Sequence, residues 1–475
     1  MTTQERLEQA IHGTTPMRLD EQVKLVFLLS LPAIMSNLVD IVMSYIDASM
    51  VGSLGAHASA SIGLVSTSMW LFGGLCAAIA SGFSVQVAHL FGAGDKEKAN
   101  DVVRQAFIAA LVIGLCIGAV ALSISPKLPI WLGGGEDIID DSRRYFQLFA
   151  VALPIHIVTF LMSSMLRCSG NMKFPSMVYI LVCILDVVFN FFLIFPTRQI
   201  SIGSLAFTCP GMGLGVLGAA WGTLLAWLTG TLILLYYISF RSKELRLNFH
   251  GRLKPEGKML KKAWKIGSPI GMERVISCAA QITSTMIVAP LGTVAIASNA
   301  FGITIESLCY MPGYGIGDAA TTLVGQSIGA QRPDLIRRFS VIALALGVGA
   351  MSLLAVVMYI FAPDLMTLMT PDLGVRQLTT DVLRIEAWAE PLFATSIVCY
   401  SIFVGMGKTL NPSFIQLGSI WLVRIPLAAM LAGTLGLKGV WIAMAIELCV
   451  RGIVMLIRLI IKLKHGNKQD NNKTN

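Results

Sequence analysis

The stretch HLFGAG (residues 89–94) returns as QSIGAQ (residues 326–331), and SLGAHASASIG (residues 53–63) returns as APLGTVAIASN (residues 289–299). Around these echoes the helix-breaking residues keep one register. Pro32 and Pro269, Gly55 and Gly292, Gly92 and Gly329, Pro126 and Pro363, Pro154 and Pro391, Gly170 and Gly407, and Pro175 and Pro412 all stand 237 positions apart (269 minus 32, and likewise for the rest). Proline and glycine punctuate helices, so a register held through both residue types means that the two halves share one order of elements. The chain is an internal duplication.

Its 475 residues are 55% hydrophobic and 13% charged, with a mean hydropathy of +0.73; soluble domains carry about a quarter charged residues. Apolar runs of the ~20 residues needed to cross a bilayer recur throughout, as in residues 26–52, 106–124 and 341–362. About twelve such runs are present, six per half. An even number of crossings per half brings each repeat in from the same side of the membrane. The expected fold is therefore an all-α integral membrane protein, twelve transmembrane helices in two six-helix lobes related by a pseudo-two-fold axis along the membrane normal.

Lysine and arginine gather in the N-terminal tail, in DKEKANDVVRQ (95–105), in residues 241–265, in GAQRPDLIRR (329–338) and in the C-terminal tail. These are alternate connections, which the positive-inside rule assigns to the cytoplasm together with both termini. The opposite connections are shorter or acidic, GGGEDIIDDSRR (133–144) being the clearest. Topology thus accounts for most of the net charge of +9, and a nucleic-acid partner, which needs a basic face on a soluble domain, is not expected. The expected organisation is a cytoplasmic tail over 1–24, an N-lobe over 25–240, a solvated linker over 241–264, a C-lobe over 265–464 and a second cytoplasmic tail over 465–475. The first 24 residues are polar and the first long apolar run is followed by more of the same, which reads as a retained anchor in the inner membrane rather than a cleaved leader. One length change breaks the repeat: Gly215 of GLGVLGAAW matches Gly436 of GLKGVWIAM at an offset of 221 (436 minus 215). The first half therefore carries 16 extra residues (237 minus 221) around TRQISIGSLAFTCPGMG (197–213), expected as an outward-facing loop or short hairpin. The nine cysteines show no CxxC spacing and, apart from the loop residue Cys209, fall in apolar runs, so neither disulfides nor a metal cluster is expected.

Ionisable groups at bilayer depth cost roughly 2.5 kcal/mol or more each, so each is a functional hypothesis by default. Asp40 and Asp47 lie two helical turns apart in the first run, and Asp186 and Asn190 one turn apart in the fifth, so each pair shares a helix face. Projected through the offset of 237, the three carboxylates fall on Ser277, Ser284 and Val423, none of them ionisable. This asymmetry points to a proton or cation site in the first half alone. A desolvated carboxylate either takes up a proton or holds a cation with oxygen partners such as Asn190 and the Thr223 hydroxyl; the plain alternative is that Asp40 or Asp186 only hydrogen-bonds a neighbouring helix. The second half carries Glu273, Arg274, Glu306, Glu390 and Arg424. Glu273 and Glu306 are candidate contacts to a cationic substrate, Arg424 is a candidate cavity residue or a structural ion-pair partner, and Glu390 is expected near the outer interface. The 23 methionines and 22 phenylalanines suit either an adaptable cavity or plain packing. His89 and His156 are expected as packing residues, and nothing resembles a zinc or catalytic constellation. No cofactor is expected.

The stretch LPAIMSNLVDIVMSYIDASMVGSLG (31–55), its echo in TTLVGQSIGAQRP (321–333), and VRIPL (423–427) with GLKGVWIAMAIE (436–447) resemble the multidrug and toxic compound extrusion (MATE) transporters, over about Lys24 to Lys464. The resemblance implies a V-shaped pair of six-helix lobes that exports organic cations or related amphiphiles in exchange for inward sodium ions or protons; the expected state is a monomer surrounded by membrane lipid. By position it carries the family's first-helix carboxylate onto Asp47, its fifth-helix pair onto Asp186 and Asn190, and its sixth-helix hydroxyl onto Thr223, the set that would hold sodium. The fifth helix departs from some members by placing the acid before the amide. The seventh-helix acid of the sodium-coupled branch projects onto Ser277, with Glu273 one turn earlier, and the tenth-helix acid onto Thr395. The alternative within the wider superfamily is a lipid-linked oligosaccharide flippase, which calls for a larger and more cationic cavity.

Overall fold

A computed structural model describes residues 3–13, 17–202, 205–247 and 256–471. Among these residues the first half forms α1 (Thr3–His12), α2 (Leu19–Gly52), α3 (Ala56–Gly92), α4 (Lys96–Ile124), the single-turn α5 (Leu128–Trp131), α6 (Glu136–Cys168), α7 (Lys173–Ile194), a hairpin of β1 (Pro196–Ile202) and β2 (Leu205–Met212), and α8 (Val216–Tyr236). The second half forms α9 (Gly257–Val288), α10 (Thr293–Gly329), α11 (Pro333–Met369), α12 (Leu373–Ala387), α13 (Glu390–Gly405), α14 (Leu410–Ser419), α15 (Ile425–Leu435) and α16 (Leu437–Asn471). Eleven of the resulting segments are long and apolar enough to cross a membrane, counting α14 and α15 as one through a π-helical turn at Ile420–Arg424; α12 and α13, bent by 58°, make the twelfth. The result is six crossings per lobe.

The repeated punctuation occupies repeated places. Pro32 lies inside α2 and Pro269 inside α9. Gly55 and Gly292 precede α3 and α10 with φ of 114° and 97°, a left-handed backbone that disfavours any side chain. One pair diverges: Pro154 sits within an unbroken α6, whereas its counterpart Pro391 stands in the first turn of α13, just after the bend. Proline cannot donate to the helix ladder, and the second lobe uses this to break its fourth crossing.

The lobes meet where α3 crosses α10. A β-carbon on Gly92 would collide with the Gln326 carbonyl oxygen, and one on Gly329 with the His89 carbonyl oxygen. Residues 89 and 326 are counterparts, as are 92 and 329, so this is one contact seen from both sides of a two-fold axis. The flanking hydrogen bonds repeat the symmetry. His89 Nε2 bonds the Gly405 carbonyl at 2.9 Å, and its counterpart Gln326 Nε2 donates to the Cys168 carbonyl at 2.9 Å. In lipid, helices associate through close backbone approach at small residues rather than through hydrophobic burial, which is why glycine holds this crossing.

Helix α2 belongs to both lobes. Leu25, Val26 and Leu29 in its first half are buried with Ala319, Leu323 and Phe339 of the second lobe, while Val51 at its far end is buried with Ile194 and Val216 of the first. The expected N-terminal tail is more ordered than a solvated segment: α1 buries Leu7, Ala10 and Ile11 in the same inter-lobe cluster, and its Glu8 pairs with Lys96 at 2.9 Å. The 16-residue insertion is the antiparallel β1–β2 hairpin, and Arg198 lies 4.1 Å over the Phe195 ring at the end of α7. Helix α9 begins at Gly257, so the last residues of the expected linker are helical, while residues 248–255 of that linker lie outside the described residues. Helix α16 likewise runs to Asn471, past the expected start of the C-terminal tail.

Gly92→Val and Gly329→Val are each expected to wedge α3 from α10 and to destabilise the protein by about 1–3 kcal/mol or more, seen as a lower unfolding temperature in detergent. Gln326→Ala, which removes one hydrogen bond, is expected to cost about 1 kcal/mol and to leave the crossing intact.

Candidate ion site and substrate cavity

Two helix faces and a glycine ridge assemble the first-lobe cluster. The glycines of α8 allow it to lie directly on α7: a β-carbon at Gly218 would stand 2.6 Å from the Leu193 carbonyl carbon, and one at Gly222 would collide with the Asn190 amide oxygen. Asn190, so placed, donates from Nδ2 to Asp47 Oδ1 at 3.0 Å and to Asp186 Oδ2 at 3.3 Å. The one amide thereby brings the two carboxyl groups together. The Thr223 hydroxyl, on α8, donates to the Ala219 carbonyl at 3.1 Å and keeps its capacity to accept. Asp186 and Asn190 are buried, and neither Asp186 Oδ1 nor the Asn190 amide oxygen has a hydrogen-bond partner. An unpaired buried oxygen is costly. A carboxylate pair, an amide oxygen and a hydroxyl form an oxygen donor set that suits a proton or a hard monovalent cation.

Asp40, two turns away on α2, does not bond to this cluster. It accepts from the Tyr179 hydroxyl at 2.9 Å and lines a central cavity of 440 Å³ to which both lobes contribute. Here Trp70, Trp227 and His156 come from the first lobe and Tyr310, Tyr314 and Asp318 from the second. His156 stacks on Trp227 with ring centroids 4.0 Å apart, so the residue expected to be packing forms part of an aromatic wall. Arg167 and Asp318 close an ion pair of 2.7 Å from one lobe to the other, and Arg274 lines the same space.

The second-lobe candidates separate. Glu306 and Arg424 line a smaller cavity of 220 Å³ together with Trp441 and Arg451. Arg424 is committed to Glu447, with Nη2 at 2.8 Å and Nε at 3.1 Å, and Glu447 also takes Arg451 at 3.1 Å and the Ser419 hydroxyl at 2.6 Å. Glu273 is buried, with Oε1 accepting from Ser277 at 2.9 Å and from Gln416 at 2.7 Å. Glu390 is fully buried at the α12–α13 bend beside Glu386, and none of the four carboxylate oxygens of the two has a hydrogen-bond partner. The bend turns these residues inward. Asp318, Arg167, Glu386, Glu447, Arg451 and Tyr179 were not singled out from the sequence. Asp318 and Glu447 stand in apolar runs and carried the same signal as Asp186; Arg167 sits at the end of α6 and looks like a topology-setting charge. Among the described residues no group of three or more His, Cys, Asp or Glu is arranged to hold a metal ion.

A duplicated bundle of twelve apolar crossings that encloses a cavity between its lobes has the architecture of a multi-pass membrane transporter. The MatE family model matches residues 32–192 and again residues 269–430, so the chain belongs to the MatE family. The two matches begin at the paired prolines of the repeat. The chain is similar to the probable multidrug resistance protein NorM of Thermotoga maritima, 26% identical over 435 residues that cover 90% of each chain. It is also similar to the probable multidrug resistance protein NorM of Neisseria meningitidis serogroup B, 24% identical over 92% of this chain and 93% of the other. The same fold appears in the outward-facing conformation of a multidrug resistance MATE family transporter, with a TM-score of 0.88 at 20% identity over 98% of this chain and 99% of that one. A MATE protein in its straight conformation matches equally well, with a TM-score of 0.88 at 20% identity over 98% and 99%.

Gly222→Ala tests the ridge that places Asn190. The added methyl group is expected to displace the amide and to lower ion-driven transport by roughly tenfold or more, the usual cost of disturbing a group that orients an ion's ligands, while the protein still elutes as a folded species. Gly63→Ala, a glycine with open space around it, is the matched control.

Proposed function

We propose that this chain is a secondary active efflux antiporter that exports organic cations or related amphiphiles in exchange for inward protons or sodium ions, working as a monomer in the inner membrane with both termini in the cytoplasm. The observation that carries this reading is the cluster of Asp47, Asn190 and Asp186, in which the open oxygens of buried Asp186 and Asn190 on α7 accompany Asp47 on α2, the helix shared by both lobes. Two bare carboxylates 4 Å apart repel by about 4 kcal/mol at an effective dielectric of 20, so the empty cluster favours separation of α2 from α7. A proton or sodium ion removes that repulsion and draws Asp47 toward Asp186 and Asn190. Because the first half of α2 is embedded in the second lobe, movement at Asp47 reaches the junction between the lobes, and ion occupancy thereby biases the rocking that alternating access requires. Asp40 and the aromatic wall of the central cavity supply a carboxylate and flat apolar surfaces for a cationic aromatic molecule. A cavity of 440 Å³ suits a drug-sized ligand and favours this reading over a lipid-linked oligosaccharide. A potential of 100 mV contributes roughly 2.3 kcal/mol per charge moved, enough for about fiftyfold accumulation.

Cells carrying Asp47→Asn with Asp186→Asn are expected to lose export of an organic cation such as ethidium down to the level of cells without the protein; export undiminished in the folded double mutant refutes the assignment. In liposomes holding the purified protein, a pH jump and a sodium jump are imposed separately. The gradient that drives uptake identifies the coupling ion, and Asn190→Ala is expected to reduce that response by roughly tenfold or more.

A further inference from the structure

Arg274 is held in the central cavity by a seat built from both lobes. Its stem lies in a groove on α3, where Gly74 stands: a β-carbon there would be 3.1 Å from Arg274 Cδ. One turn away on the same face of α3, Trp70 lies under the guanidinium, with the ring centroid 5.9 Å from Cζ. The neighbouring Glu273 approaches only from the Nε side, with Oε2 at 3.7 Å, beyond hydrogen-bond distance, while its Oε1 accepts from Ser277 and Gln416. Among the described residues the Arg274 guanidinium makes no hydrogen bond within the range that the other cavity arginines reach. Arg167 is matched by Asp318 at 2.7 Å, and Arg424 and Arg451 share Glu447 at 2.8 and 3.1 Å. Nε of Arg274, like that of Arg167 and of Arg451, is enclosed without a hydrogen-bond partner; what sets Arg274 apart is the longer 3.7 Å approach of its nearest carboxylate, and its side chain keeps 31% of its surface open.

A buried cation left without a hydrogen-bonded counter-charge is costly, and a guanidinium fork offers paired donors of the right geometry for a carboxylate, sulfonate or phosphate. The same cavity holds Asp40, which accepts only the Tyr179 hydroxyl. The space thus presents one available cationic fork and one carboxylate across an aromatic enclosure.

We propose that Arg274 is a specificity-determining residue of the central cavity, binding an anionic group on an aromatic substrate, so that the site selects amphiphiles carrying a negative group as well as a positive one. This rests on the reading of the central cavity as the substrate site. Trp70 and Gly74 are positioning residues: one stacks the guanidinium, the other leaves room for its stem.

The test uses two dyes that differ at one group, rhodamine 110, which bears a free carboxylate, and rhodamine 123, its methyl ester. Equilibrium binding to the purified full-length protein is followed by fluorescence anisotropy. The wild type is expected to bind the acid more tightly than the ester. Arg274→Gln is expected to shrink the ester-to-acid ratio of Kd by roughly tenfold, the size of a charge-assisted pair of hydrogen bonds, and Arg274→Lys to restore part of it. Gly74→Val, which keeps the charge but fills the groove, is expected to shrink the ratio as well, and it serves where Arg274→Gln does not fold. A ratio that stays constant across these variants, with both dyes weakened alike or neither affected, makes Arg274 an inter-lobe strut and overturns the proposal, as does a wild type that fails to bind rhodamine 110. Gradient-driven uptake of the two dyes into liposomes is measured separately. Arg274-dependent selectivity in binding without any gradient-driven uptake leaves this inference standing and removes the antiport reading instead.

Discussion

The crossing of α3 and α10 at Gly92 and Gly329 is the contact on which the rest of the molecule depends. Within a bilayer the lipid chains are as apolar as leucine, and helices gain little by hiding from them. They gain by approaching until backbone meets backbone, and only glycine permits that here on both strands of the contact. Because the contact is self-reciprocal under the 237-residue repeat, a single glycine position in the ancestral half served both sides of the junction. The paired bonds from His89 and Gln326 to opposite carbonyls show the same economy, with different side chains now performing equivalent tasks.

Duplication supplies equivalent helices, and divergence then gives the lobes different polar interiors. The first lobe gathers Asp47, Asp186 and Asn190 around oxygens that no protein donor satisfies. The second lobe commits most of its charges: Glu447 is saturated by two arginines and a serine, and Oε1 of Glu273 accepts from a serine and a glutamine. Besides Arg274, the bend between α12 and α13 departs from this, since the carboxylate oxygens of Glu386 and Glu390 are buried there without hydrogen-bond partners. The division of labour follows from the high cost of an unsatisfied polar group in a medium that offers no water.

The central cavity is not uniformly acidic. Asp40 and Arg274 face the same space from opposite lobes, and Arg167 and Asp318 neutralise one another across it. An enclosure of this kind recognises its cargo by aromatic stacking and by a small number of unspent charges, which suits varied molecules of similar size. Since the lining comes from both lobes, any rocking between them changes the cavity itself, so cargo binding and lobe geometry are coupled without a dedicated lever.

Periodic proline and glycine, long apolar runs and alternating basic connections were enough to read the duplication, the twelve crossings and the family from the residues, because each reports a local rule: helix punctuation, bilayer thickness, and charge beside a membrane. The same logic flagged Asp47, Asp186, Asn190 and Thr223, since a polar residue in an apolar run is visible in one dimension. Local rules do not say which of these groups meet. That Asn190 bridges two carboxylates while Asp40 turns to Tyr179, that Glu390 is buried at a bend beside Glu386, and that α1 packs into the inter-lobe cluster were decided by helix crossings and side-chain directions set elsewhere in the chain. Arg167 and Asp318 show the limit most clearly: 151 residues apart in sequence and 2.7 Å apart in space, they are partners only because the two lobes dock, and no pattern within either half contains that fact.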